Sequence, residues 1–416
     1  MQENNIKNDN ISKINYKIGR ILENNLTSNL IIIFIGFIAA LSIAVFTYIN
    51  ADFMFKDYNF ANKFIIDRFY FYIFYFFCFS LIFNSNSKFD IKNIIIISLS
   101  FLFLSVITLS TNFFTAISSF DGIKNIKFYN QIYYIKYIFS PIIFFIITLL
   151  SYNGFQVLNS KSISEFFTFS ADILVFAGLI ASIVSAVFGI FITIVFYLLE
   201  DITVNLDEKI IIKLIMMTIS FFASLFPFLV YTVYRKMKTN ISIYLSRILM
   251  PFSLLFIFTL LILLLMPDIR PYDNRAAFIL YNIMLAVIVL NMFFVRIDYK
   301  SSIFTKAVYL ILPIIAIVFD ILVLTSSLYR LIEYGITPNK ITLIGTNLVM
   351  LGNLIFITFF NIKSVLIIFR KPDSIPNIKD IIIGNTKSAF YIYVYGIWAF
   401  IVCFIMPLFL ILLNIF

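Results

Sequence analysis

The sequence predicts an all-α protein, a polytopic transmembrane bundle of about eleven helices, and three observations predict it. Of 416 residues, 62% are hydrophobic and only 12% are charged, with a mean hydropathy of +1.02. Soluble domains are about 45–50% apolar and about 25% charged. A water-soluble fold could not hide this much apolar surface, whereas lipid tails accept it. Apolar runs long enough to cross a bilayer recur along the whole chain. The basic residues fall in short connections between those runs, as threading and anionic headgroups require.

Residues 1–28 read as a cytoplasmic polar tail, rich in Asn and Lys. The tail is too long for the n-region of a cleavable signal, and the next run lacks a small-residue cleavage pattern, so a retained helix is expected. Residues 29–416 read as a single membrane domain. A span needs about 20 apolar residues at about 1.5 Å each. The runs that qualify are 30–49, 66–83, 94–113, 137–157, 173–199, 214–234, 248–266, 276–295, 307–328, 341–361 and 391–413. The second is mostly Phe and Tyr from Phe69 to Phe83. The fifth carries Gly178, Ala181, Ser182, Ser185, Ala186 and Gly189, a small-residue face expected to place it centrally among its neighbours.

Three runs are entered by a basic residue followed by proline: Lys136 with Pro141, Arg247 with Pro251, Lys306 with Pro313. Proline is tolerated in a first turn, where its missing N–H has no partner to lose. Pro313 lies deeper, and Pro227 and Pro407 are read as helix-interior kinks.

Placing the N-terminus in the cytoplasm puts 19 of the 31 Lys and Arg residues on the cytoplasmic side and 12 opposite, the bias expected of an inner-membrane protein. The clearest local signals are Arg235, Lys236, Lys238 and Arg247 on one side, and Glu200, Asp201, Asp207 and Glu208 on the other. The longest connection, 362–390, contains Arg370-Lys371-Pro372 and Pro376 and reads as irregular. Heavy use of Ile, Phe, Asn, Lys and Tyr resembles AT-rich bacterial coding.

Several functions are excluded. The net charge of +10 is spread over loops, with no basic face or stacking platform for nucleic acid. Cys78 and Cys403 lie inside apolar runs, so there is no disulfide framework. With no His in the chain, the commonest metal ligand and general base are missing. No metal site or cofactor is expected. No Walker loop, dinucleotide fingerprint or nucleophile elbow occurs.

One ionisable residue stands deep in a span: Asp320, within IVFDILVL. A charge there costs about 2.5–3.5 kcal/mol on insertion scales. Such a residue faces the bundle interior, held as the neutral acid, paired, or set on an ion path. Arg330, ten residues on, is about 15 Å along the same helix and too far to pair with it. Asp172 and Glu200 bracket the fifth span and read as interfacial.

The other informative stretch is 329–353, which opens YRLIEYGITPNK. Arg330 and Glu333 are one turn apart and positioned to pair. Tyr334-Gly335 ends one helix with a glycine C-cap, and Thr337 caps the next with Pro338 at its first position. This corner resembles the motif of a bacterial multi-pass membrane family catalogued as domain of unknown function 4153. The resemblance rests on Arg330, Glu333, Tyr334, Gly335, Thr337, Asn339 and Lys340, with Lys340 where the family has Arg, and on Tyr244 to Pro251 ending in RILMP. It covers residues 240–360 and implies a multi-pass membrane location; the family has no assigned activity, and Asp320 is not part of its pattern.

Three functions stay open. One is an accessory or sensory membrane component, in contact with the lipid bilayer and a membrane-protein partner. Another is an ion-coupled transporter or channel using Asp320. The third is a membrane enzyme acting on a lipid-linked substrate through Arg330, Glu333 and Asn339 at the outer surface, with Tyr334 a further candidate functional residue at the same corner.

Overall fold

The computed structural model describes residues 91–117, 126–157, 162–179, 241–263, 275–294, 303–370 and 389–412, together with scattered positions within 33–45, 75–82 and 217–225 and at 182 and 272. Among these, every regular element is a helix. We label them α1 (Ile91–Ile117), α2 (Ile126–Tyr152), α3 (Ser162–Leu179), α4 (Ile241–Leu263), α5 (Arg275–Phe294), α6 (Ile303–Tyr334) and α7 (Pro338–Arg370). The last helix, α8, runs from Ile392–Phe400 through a π turn, Ile401–Ile405, into Met406–Leu412.

Among the described residues, six helical stretches are long and apolar enough to cross a membrane: Ile91–Thr108, Tyr134–Tyr152, Ser162–Leu179, Phe304–Tyr334, Pro338–Lys363 and Ile392–Phe409. Shorter apolar stretches, Arg247–Ile262 and Ala277–Phe293, fill α4 and α5. The expected spans 30–49, 66–83 and 214–234 lie largely outside the described residues. So do the loop 200–213, the cluster Arg235, Lys236 and Lys238, and Pro227.

Hydrogen bonding suits a medium without water. Thr108, Thr148, Thr259, Thr325 and Thr358 each donate their hydroxyl to the carbonyl four residues earlier in their own helix. In hydrocarbon a donor has nowhere else to turn. The outer faces are apolar: Phe252, Leu255, Phe256 and Phe258 of α4, and Leu280, Ile283 and Leu290 of α5, are exposed.

The chain divides into two compact units, Met1–Ser98 with Phe176–Lys238, and Leu99–Val175 with Thr239–Phe416. In the first, Ala40 and Ala44, and Tyr75, Cys78, Leu81 and Ile82, are buried at helical spacing, and Phe37 meets Phe221 edge-on at 5.5 Å. In the second, α6 packs on α4, α5 and α7, while α7 also touches α2, α5 and α8. Its core joins Met250 and Ile257 of α4, Tyr281 and Leu285 of α5, Leu312, Phe319 and Val323 of α6, and Met350, Leu354 and Ile357 of α7. A second cluster joins Leu149 of α2 to Ile163, Phe166 and Phe167 of α3 and Ile392 of α8.

Several expectations are corrected. Helices α2 and α3 begin well before their apolar runs, because a helix satisfies its own backbone and continues through a polar flank. Helix α4 likewise starts early, at Ile241, so Pro141 and Pro251 are interior prolines rather than first-turn ones, while Pro313 is interior as its deeper position predicted. Near Pro141, the Lys136 carbonyl accepts from Ser140 Oγ at 2.5 Å and faces Cys403 Sγ at 3.9 Å. The expected connection 362–390 is helical up to Arg370, and residues 371–388 lie outside the described set. The small-residue face of the fifth span does not pack where it is described. Gly178 and Ser182 are exposed, and a Cβ on Gly178 would meet open space.

Pro407 has a specific accommodation. The preceding π turn sends the Met406 N–H to the Ile401 carbonyl, one residue farther back than in an α-helix. That widening relieves the crowding a proline ring imposes on the turn before it.

The corner between α6 and α7 matches its expected backbone chemistry. Gly335 has φ +76°, the Lys340 N–H donates to Thr337 Oγ1 at 3.4 Å, and the Ile341 N–H donates to the Thr337 carbonyl at 3.1 Å. Nothing lies within 4 Å of a Cβ placed on Gly335, so Gly335→Ala carries only the left-handed backbone penalty. We expect a loss of about 1 kcal/mol in detergent-phase denaturation, and a smaller loss for Gly335→Asn; an unchanged midpoint for Gly335→Ala would contradict the assignment.

Neither Cys78 nor Cys403 is in a disulfide, and both are buried. Maleimide is expected to label neither thiol in the folded protein and both after denaturation in SDS; rapid labelling of either in the folded state would refute this packing.

Candidate functional site

Asp320 sits on the buried stripe of α6, which runs through Leu312, Ala316, Phe319, Val323 and Ser327 at three- and four-residue steps. Its side chain is 0% exposed, and neither Oδ1 nor Oδ2 has a hydrogen-bond partner. The neighbouring Phe319 ring is held edge-on by Tyr281 of α5 at 5.4 Å.

Helix α7 returns antiparallel beside α6, and two bonds fix the register. Asn347 Nδ2 donates to Ser327 Oγ at 3.4 Å, and Asn361 Nδ2 donates to the Tyr309 carbonyl at 3.5 Å. Asp320 falls between these two levels, opposite the turn containing Met350, Asn353 and Leu354. Asn353 is fully buried and donates Nδ2 to the Tyr395 hydroxyl of α8 at 3.3 Å. Tyr395 lies within Coulombic reach of Asp320. It is wedged by edge contacts with Phe293 of α5 at 5.9 Å and Tyr391 at 5.8 Å.

The layer is rich in acceptors without donors. Besides both Asp320 oxygens, the amide oxygens of Asn347 and Asn353 are buried and unbonded. A buried polar atom left unbonded costs about 1–3 kcal/mol, and such clusters concentrate where a protein does more than pack. The arrangement suits an ionisable group that takes up and releases a cation or proton inside the bundle.

Asp320 is not the sole buried charge-bearing residue, as the sequence indicated. Lys136 of α2 and Asp172 of α3 are each 2% exposed, and each has interaction partners. Lys136 Nζ lies 5.5 Å from the Phe404 ring centroid. Both had been assigned to connections, because their helices start earlier than the apolar runs.

The other candidates are gathered at the corner, at the far end of α6 from the Asp320 layer. Arg330 Nη1 donates to the Tyr272 carbonyl at 3.1 Å, and its guanidinium stands 5.3 Å from the Phe278 ring and 5.4 Å from the Tyr334 ring. It forms no ion pair with Glu333, which is exposed, as is Asn339. The expected one-turn pair is thus replaced by contacts to aromatic faces and a carbonyl. Among the described residues no three metal-ligating side chains converge.

The reading of the sequence missed Asn347, Asn353 and Tyr395. Three Asn residues within the apolar run 341–361, at 347, 353 and 361, were a usable signal, since amides in a span need partners. Tyr395 had none, being one tyrosine among 24.

No family model matches the chain, and neither the curated proteins nor the solved structures include a match to it.

Proposed function

We propose that the chain is a multi-pass integral membrane protein of the bacterial cytoplasmic membrane, with about eleven spans and a cytoplasmic N-terminus, and that it is an ion-coupled transporter or channel in which Asp320 carries the coupling proton or cation. The carrying observation is a fully buried carboxyl, unbonded at both oxygens, midway along a 31-residue apolar stretch. An intramembrane carboxyl of this kind is the usual carrier of charge in ion-handling bundles. The excess of Lys and Arg assigned to the cytoplasmic side, 19 against 12, supports the orientation. The corner residues support kinship with the family catalogued as domain of unknown function 4153.

The enzymatic alternative gains nothing from the geometry: Glu333 and Asn339 face outward, and Arg330 is turned onto Phe278 and Tyr334. The test is flux of protons, Na⁺ and K⁺ in proteoliposomes carrying the full chain, beside Asp320→Asn. Flux in the unaltered protein that drops to the level of protein-free vesicles in the variant supports the proposal. Equal flux in the two, or none in either, overturns it.

A further inference from the structure

We propose that the α6–α7 corner is a binding site for the phosphate of an anionic phospholipid headgroup, held by Arg330 and Lys340 on either flank of Tyr334. This rests on the membrane reading and not on Asp320.

Four observations converge. Arg330 and Lys340 approach the same aromatic ring, at 5.4 and 5.6 Å from its centroid. Among the described residues neither forms an ion pair; each spends one donor on a backbone carbonyl, Arg330 on Tyr272 at 3.1 Å and Lys340 on Gly335 at 2.6 Å. Two like charges beside one ring repel, Glu333 one turn from Arg330 pairs with neither, and each cation retains most of its donors for an acceptor. A phosphate diester supplies both the missing charge and the acceptor oxygens.

Depth agrees with this. The 32 residues of α6 are about 48 Å long, against about 30 Å of hydrocarbon, so its ends reach the headgroup layer. Tyr272 and Tyr329, edge to face at 5.6 Å, and Tyr334 give this end the aromatic belt of a membrane–water boundary. Finally, Ile332 and Ile336 project beside the cations at 83% and 70% exposure. Isoleucines so bare gain nothing in water, but they fit between acyl chains while the basic groups meet the phosphates above them.

The occupant is a lipid rather than a free ion, because the isoleucines would serve no purpose for phosphate alone. The test is thermal unfolding of the full chain in a neutral detergent, titrated with short-chain phosphatidylglycerol, with phosphatidylcholine and inorganic phosphate in parallel. Phosphatidylglycerol is expected to raise the midpoint saturably, phosphatidylcholine less, and inorganic phosphate not at all. Apparent affinity should fall about fivefold for each cation removed, in Arg330→Gln and Lys340→Gln, and survive in Arg330→Lys and Lys340→Arg. Should Arg330→Gln fail to fold, Lys340→Gln decides alone, since the Lys340 ammonium bonds the Gly335 carbonyl and stands by the exposed Tyr334 ring rather than in the core. Undiminished phosphatidylglycerol response in Lys340→Gln, or an equal response to inorganic phosphate, would overturn the proposal.

Discussion

Asp320→Asn is expected to yield a protein that inserts normally, unfolds at a higher temperature than the unaltered chain, and carries no coupled ion flux. The substitution keeps the side-chain shape and removes the ionisable group, whose two oxygens are buried without a bond. Carrying an ion across hydrocarbon makes a removable charge costly to the resting fold, about 2.5–3.5 kcal/mol on insertion scales. A neutral isostere recovers part of that. Gain of stability with loss of activity is the mark of a residue retained for work rather than for packing. Asn353→Leu, which strips the amide from Tyr395, should weaken flux without restoring stability, because it leaves the Tyr395 hydroxyl without that bond. If Asp320→Asn lowers the unfolding midpoint, the carboxyl has a structural bond and the ion-carrying proposal loses its basis. The readings are detergent-phase thermal denaturation and proteoliposome flux on the same preparations.

Gly345→Ala is expected to be the most damaging single-methyl change in the described core. A Cβ on Gly345 would overlap both Cη2 and Cζ2 of Trp398, at the edge of the indole. That ring cannot simply swing aside, because Trp398 Nε1 donates to Thr346 Oγ1 at 3.0 Å. Overpacking costs about 1–3 kcal/mol, and losing the indole bond adds about 0.5–1.5 kcal/mol. Trp398→Leu removes the obstruction, so the pair should be strongly non-additive, with the double variant milder than Gly345→Ala on its own. Additive losses in a denaturation cycle would show that the glycine and the indole do not meet. The same logic applies at Gly352, against the Tyr391 hydroxyl, and at Gly396, against Ile146. Together these glycines draw α7 and α8, and α8 and α2, close enough for backbone-level packing.

What could be read from the sequence divides by range. The long apolar runs were legible because hydrocarbon demands a minimum length of unbroken hydrophobicity. The corner was legible because Tyr334-Gly335 and Thr337-Pro338 act on their own backbone. The inward placement of Asp320 followed from the cost of turning a carboxyl toward lipid. Helix starts were misjudged where the helix outlasts its apolar run. That is why Lys136 and Asp172 were assigned to connections, although both are buried. The small-residue packing was sought around Gly178, but the described close approaches are at Gly345, Gly352 and Gly396. The polar neighbours of Asp320 were hidden for another reason. Asn353 and Tyr395 arrive on later helices through antiparallel register, and no local pattern encodes which amide a carboxyl will face across a bundle.

The π turn at Ile401–Ile405 has a consequence for how this chain tolerates changes in length. In a plain α-helix, deleting one residue swings everything downstream by about 100°, which would pull Met406 from Thr342. Here a residue is already in surplus within the turn, so a one-residue deletion inside it tightens the coil to ordinary α geometry and leaves the far side in phase. The terminal span thus holds a slot where the gene can lose a codon without rotating the helix that follows.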